Sequence, residues 1–408
     1  PRILEKIAIE FNANFLWRIF NMYHLMLSIC ALILAFTAST PAHAWPGFTW
    51  EKWQKDTQEP KPQLNTPQAG QVKLLPLLKT SMNAKDTIST TKAWEAKRSD
   101  ILSTIGVIIG TPSDIQHDTR KTFVMGEEKL EKYRRIHLRI PGEQGDSIPA
   151  YLLLPNAPLA SPAPTMIVLH QTQAPGKKES CGMVGNPDMA FAHELAELGF
   201  VCIVPDAIGF GERIPESSQP YQGSHDFYDN HPKWSFFGKM NWDISHVVDY
   251  LETRQDVDTN RIGIIGHSHG AYGSIMATVH EPRIKLTVAS CGFNTLRTDP
   301  DPNRWSHLTA LMPRVGFYVD DIKTAPFDWH EIVACIAPRP YFNWATLSDN
   351  IFPETDNLSD IYTQLHDVYA LYGAEEKFRG ELVPGKHRFP DEGRQQVFAW
   401  IKKQWKLE

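Results

Sequence analysis

Residues 261–277 constrain the chain more than any other stretch. The apolar run Arg261-Ile262-Gly263-Ile264-Ile265 leads without a break into Gly266-His267-Ser268-His269-Gly270 and then into Ala271-Tyr272-Gly273-Ser274-Ile275-Met276-Ala277. A short apolar run of this kind reads as a buried parallel strand, and the sequence behind it reads as a helix. Ser268 is therefore predicted to stand on a tight strand-to-helix turn, a G-x-S-x-G nucleophile elbow. Such a turn lifts the serine Oγ above the sheet edge, and Gly266 and Gly270 leave room for the backbone to bend and the helix to approach. The helix N-terminus then favours negative charge developing on a bound group.

An elbow needs a sheet around it. From Tyr133 onward short apolar runs alternate with helical patterns. Tyr133–Ile140 and Ile148–Leu154, joined across a turn at Pro141–Gly145, predict an opening antiparallel pair. Met166–Leu169, Phe200–Val204, Ile262–Ile265, Leu286–Ala289 and Tyr341–Ala345 predict parallel strands, with helices at Met189–Leu198, Asp243–Glu252 and Leu358–Leu371 between them. The expected fold class is α/β, a mostly parallel central sheet with helices on both faces and the site at the carboxyl ends of the strands. Thr91–Ile109 carries Trp94, Ile101, Leu102, Ile105 and Ile108 at helical spacing, closed by Gly110 and Pro112. The expected division is 1–44 upstream segment and signal peptide, 45–130 N-terminal extension, and 131–408 catalytic domain. Asn294–Asp328, with Trp305, Leu311, Phe317 and Tyr318, is expected to be an inserted cap.

A serine nucleophile needs a base and an orienting acid, supplied in this fold in the order Ser, Asp or Glu, His. His387 is the candidate base: it lies in a Gly-containing loop between strand-like Phe378–Leu382 and a final helix from Asp391. Of the sixteen histidines, no other lies downstream of His366, which falls inside a predicted helix. Asp349, just past the strand Tyr341–Ala345, is the candidate acid, while Glu354 and Asp356 read as solvated loop charge. The oxyanion hole is expected from the backbone N–H of His269 and from Gln171 or Thr172 in the loop beginning Leu169-His170. His170 reads as a structural hydrogen bonder under that loop rather than a second base. Asp206, Glu212 and Arg213 are expected to form a structural charge network. His225, Asp226, Asp229 and His231 lack metal-ligand spacing, so no metal is expected, and no cofactor.

The remaining features bound the setting. The formal charge of −6 and the absence of long basic runs give no electrostatic footprint for nucleic acid. Leu25–Phe36 followed by Ala42-His43-Ala44 reads as a signal-peptide core and A-x-A cleavage site, too short for a membrane span of about 20 apolar residues, which predicts a secreted or periplasmic protein with no membrane contact after cleavage; an uncleaved anchor spanning Phe15–Phe36 is the alternative. Cys181, Cys202, Cys291 and Cys335 would remain, enough for up to two disulfides, although Cys202 lies in an apolar run and reads as a buried small hydrophobe.

From Trp94 to the C-terminus the chain resembles the dienelactone hydrolase and acetyl xylan esterase branch of the α/β-hydrolase superfamily, particularly its secreted bacterial members. The resemblance rests on Ile148-Pro149-Ala150-Tyr151-Leu152-Leu153-Leu154-Pro155, Phe210-Gly211-Glu212-Arg213, Trp242-Asp243, Arg261-Ile262-Gly263 before the elbow, Ala337-Pro338-Arg339-Pro340, and Gly385-Lys386-His387. It implies ester hydrolysis through an acyl-enzyme on Ser268, Asp349 and His387, without a cofactor. Gln171 in the oxyanion loop and His269 beside the serine depart from the pattern. The expected substrate is a small-molecule or carbohydrate ester, such as an acetyl ester on plant polysaccharide. Two other readings compete. A prolyl-oligopeptidase-like peptidase shares the order of the three residues, but 45–130 is too short for a propeller. A catalytically silent carbohydrate-binding module would keep the fold and lose the chemistry.

Overall fold

The computed structural model describes residues 47–66, 74–80, 85–112 and 121–407, so the signal-peptide expectation lies outside the described residues. Nine strands form one sheet in the order β1-β2-β3-β5-β4-β6-β7-β8-β9. They are β1 (Phe123–Lys129), β2 (Tyr133–Pro141), β3 (Ser147–Pro155), β4 (Ala163–Leu169), β5 (Val201–Pro205), β6 (Val257–His267), β7 (Leu286–Ser290), β8 (Tyr341–Thr346) and β9 (Phe378–Val383). The first three are antiparallel to one another, β3 is antiparallel to β5, and β5 through β9 run parallel. Every residue of β5 and β7 is buried, as a strand covered on both faces requires.

The helices are α1 (Trp50–Thr57), α2 (Thr91–Ile109), α3 (Lys177–Ser180), α4 (Phe191–Glu197), α5 (Ser224–Asn230), α6 (Phe236–Glu252), α7 (His269–His280), α8 (Trp329–Ala334), α9 (Leu358–Ala370) and α10 (Asp391–Trp405). Helix α2 spans the expected residues, with the Thr90 side chain accepting from Ala93 N–H at its start. Helix α6 begins seven residues before the expected Asp243, because Ser235 caps it and Phe236, Phe237 and Met240 extend its buried face. No sequence pattern announces β1: all seven of its residues are exposed, so the alternation that marks a half-buried strand is missing.

Asn294–Asp328 is built of short 3-10 turns rather than α-helices. It shares one aromatic core with the N-terminal extension. The Trp50 indole donates to Pro313 O at 2.7 Å, Arg314 pairs with Glu59, and Phe48, Trp53, Trp94, Trp305 and Tyr318 are buried in the same cluster. Among the described residues of this extension the extended pairings are an isolated bridge between Lys79 and Thr87 and the edge strand β1 against β2, which make no propeller blade. No helix of the described residues is long and apolar enough to cross a membrane.

Candidate active site

Strands β4 and β6 are neighbours, with Leu169 paired to Gly266. The loop after β4 and the turn after β6 therefore leave the sheet side by side, and Ser268 stands on the second. Its backbone has φ 54° and ψ −116°, in a region that costs a non-glycine residue on the order of 1–3 kcal/mol. The surroundings enforce it. Ser268 N–H donates to Ser290 O at 2.8 Å, a Cβ on Gly266 would meet Gly270 at 2.2 Å, and one on Gly270 would meet Leu169 O at 2.2 Å. Both glycines are thus required by close backbone approach.

Asp349 follows β8 and His387 follows β9, two strands that pair with each other. His387 Nδ1 lies 2.8 Å from Asp349 Oδ2 and 3.0 Å from Oδ1. Asp349 is only 4% exposed, and its Oδ1 also accepts the backbone N–H groups of Ile351 and Phe352. The carboxylate is held from both sides. It fixes the imidazole with Nδ1 protonated and leaves Nε2 as the acceptor. Nε2 is buried without a hydrogen-bond partner among the described residues. The His387 ring sits 4.7 Å from that of His267 and 6.0 Å from Phe352. Burial, then the neighbouring His387, hold His267 well below the ordinary imidazole range, so it adds no charge to the site.

In the loop after β4, His170 is buried, with Nδ1 2.8 Å from Gln171 O and Nε2 accepting from Ala207 N–H. Nδ1 must then carry the proton and donate, which makes His170 a neutral strut under the loop. The Gln171 side chain is tied to Glu179, and the Thr172 hydroxyl joins the hydroxyls of Tyr221 and Tyr272. His269 heads α7. Its ring is pushed down to about 3, chiefly by burial, and packs against His170, Phe210 and Tyr272. Besides its backbone N–H, its ring Nε2 is buried without a hydrogen-bond partner among the described residues.

The expected charge network is larger than Asp206, Glu212 and Arg213. Buried Lys177 bridges Asp206 and Glu212, while Arg213 and Lys239 both pair with Asp146 and Asp243. A polar groove of about 830 Å³ opens over it, and none of Ser268, Asp349 and His387 lines that groove. Glu354 and Asp356 are not partners of His387. His225 stacks on Phe48, and His231 pairs with Glu143. Cys181, Cys202, Cys291 and Cys335 are all buried and unpaired, so the two disulfides that their number allowed do not form. Sequence reasoning passed over Cys291, His267 and Phe352, which approach His387 only because adjacent strands deliver their loops to one place.

A solved glucuronoyl esterase from Teredinibacter turnerae superposes with a TM-score of 0.63 over 87% of this chain and 99% of that one, at 18% identity. The chain has the α/β-hydrolase fold. A sequence model described as glucuronyl esterase, fungi, matches residues 199–373 of the hydrolase. The Bacillus subtilis protein YtaP, which bears a hydrolase name, is 27% identical over 242 residues, 57% of this chain and 76% of that protein. A 4-O-methyl-glucuronoyl methylesterase of Schizophyllum commune is 24% identical over 216 residues, 49% of this chain and 53% of its own length. The hydrolase thus spans about half the length of the fungal methylesterases it matches.

Proposed function

We propose that this serine carboxylic ester hydrolase cleaves esters formed on the carboxyl group of a sugar acid, and that it does so through an acyl-enzyme on Ser268. In the proposed cycle His387 Nε2 takes the Ser268 proton as Oγ attacks the ester carbonyl, then returns it to the departing alcohol. Water, activated by the same nitrogen, releases the acid. Asp349 holds the ring in the tautomer that leaves Nε2 free and stabilises the imidazolium. The N–H groups of His269 and of Gln171 or Thr172 take the negative charge of the tetrahedral intermediate.

The observation that supports this reading is the His387–Asp349 pair, anchored by two backbone N–H groups, with the His387 ring packed on His267, the chain neighbour of the strained Ser268. The substrate class draws on the named relatives, which are methylesterases of glucuronoyl groups. This shifts the expectation from an acetyl ester, in which the sugar is the alcohol, to one in which the sugar supplies the acyl group. Export through the apolar segment Leu25–Phe36, with cleavage after Ala44, belongs to the same proposal, since polymeric uronoyl esters lie outside the cell.

The test pairs methyl glucuronate with acetylated xylan and p-nitrophenyl acetate on purified protein, alongside a fluorophosphonate label. Release of methanol from the uronate ester, abolished with the label in Ser268→Ala, is the expected result. Deacetylation of xylan without uronate turnover would restore the acetyl reading. An unlabelled, folded wild type that binds uronates without turnover would leave a binding module.

A further inference from the structure

Cys291 follows β7, the strand between the one that carries Ser268 and the one that leads to Asp349. Its sulfur, a carboxylate oxygen of Asp349 and a ring nitrogen of His387 lie within 4.8 Å of one another. Three adjacent strands therefore bring a thiol, a carboxylate and an imidazole to one point. These are the donor types that borderline-soft divalent ions select. The sulfur has no disulfide partner. Its contacts are weak ones of the kind sulfur makes, 3.9 Å to Thr346 Oγ1, 3.7 Å to Arg388 O, and one with the Ser290 side chain.

We infer that Cys291, Asp349 and His387 form a binding site for a thiophilic divalent cation, Zn²⁺ or Cd²⁺, and that the ion switches the hydrolase off. The ion takes the thiolate sulfur, an Asp349 oxygen and His387 Nδ1, with water in the fourth position of a tetrahedron. On binding, the thiol proton goes to solvent and the imidazole proton moves from Nδ1 to Nε2. The ring stays neutral and no electrons are transferred. A protonated Nε2 has no lone pair for the Ser268 proton, so occupancy and general-base action exclude each other. A metal at about 2.0–2.3 Å from each donor needs them somewhat farther apart than the present 2.8 Å between His387 and Asp349, so the ring must draw back slightly from the carboxylate on binding. The effect on turnover rests on the acyl-enzyme reading; the binding itself does not.

The experiment measures Cd²⁺ and Zn²⁺ alone against the full chain, Ser268→Ala, Cys291→Ala and Cys291→Ser. The expected result is one Cd²⁺ per chain with a thiolate-to-metal ultraviolet band, equal in wild type and Ser268→Ala. Esterase activity should fall with Zn²⁺ and recover with EDTA. Cys291→Ala should keep its basal activity, lose the band and need roughly tenfold more metal or greater for inhibition. Cys291→Ser controls for lost packing volume and should behave like the alanine variant. Equal metal sensitivity in wild type and both cysteine variants, binding without a thiolate band, or no binding would overturn the site. Binding by a protein that hydrolyses no ester would leave the site standing and remove the acyl-enzyme reading.

Discussion

Around Lys177 and Arg213 each buried charge has its opposite within reach, and the two cations join loops after β4 and β5 to the β2–β3 turn and to α6. After β8 and β9, at the same edge of the sheet, the arrangement is incomplete: Asp349 is fully engaged, His387 is engaged on one nitrogen, and the other is buried with no partner among the described residues. A saturated cluster resists change because removing any member strands a charge. An unsaturated one holds a reactive atom in place at a cost that packing must offset. The contrast separates scaffold from chemistry without any appeal to which residues are charged.

Four measurements would break or sharpen it. Ser268→Ala should lower kcat by roughly 10⁴-fold or more with an unchanged denaturation midpoint; a large loss of stability instead would mean that the serine is structural. Asp349→Asn should also cost on the order of 10⁴-fold in kcat, since an amide no longer enforces the Nδ1–H tautomer. Activity within tenfold of wild type would remove Asp349 from the proposed machinery. Lys177→Met should act in the opposite sense, destabilising by about 3–5 kcal/mol in urea unfolding by leaving buried Asp206 without its counter-charge, while Glu212 keeps Arg139. The folded fraction should still react with a fluorophosphonate.

The smallest effect concerns pH. Burial alone would raise the carboxyls of Asp146 and Glu212, but Arg213 and Lys239 for the first, and Lys177 for the second, reverse that and hold both below their ordinary values. A carboxyl depressed in the folded state adds stability that is fully present above its unfolded value, about 4, and is lost as pH falls through the folded value. The carboxyl part of the acid-side loss should therefore be flat from neutral pH to about 5 and appear below about 4, on top of a decline that starts at about 6.5, where the unfolded chain protonates histidines such as His267 and His269 that stay neutral in the fold. In Lys177→Met the Glu212 part of that acid-side loss should shrink. An identical acid profile in the two proteins would show that the network does not set it.

Much of this was legible beforehand. The parallel strands were visible as apolar runs because burial on both faces leaves few alternatives to Val, Ile and Leu. The antiparallel opening pair showed through alternation, and α2 through spacing and its Gly110 end. Strand β1 was hidden because an exposed edge strand carries no burial pattern. The seven-residue start of α6 was hidden because Phe236 and Phe237 read as loop aromatics until Ser235 is known to cap them. The count of cysteines pointed to disulfides that do not exist, since number says nothing of distance.

The sequence by itself determined the elbow, its two obligatory glycines and the order of Ser268, Asp349 and His387, because each depends on a local turn or on a position just past an apolar run. Tertiary structure alone decided what stands around them. Lys177 meeting Asp206 and Glu212 and Cys291 arriving beside His387 arise from which strands are neighbours, and Trp50 meeting Pro313 from the packing of α1 on the 3-10 turns. Strand order is set by the packing of whole faces across the sheet, and no local spacing in the chain encodes it.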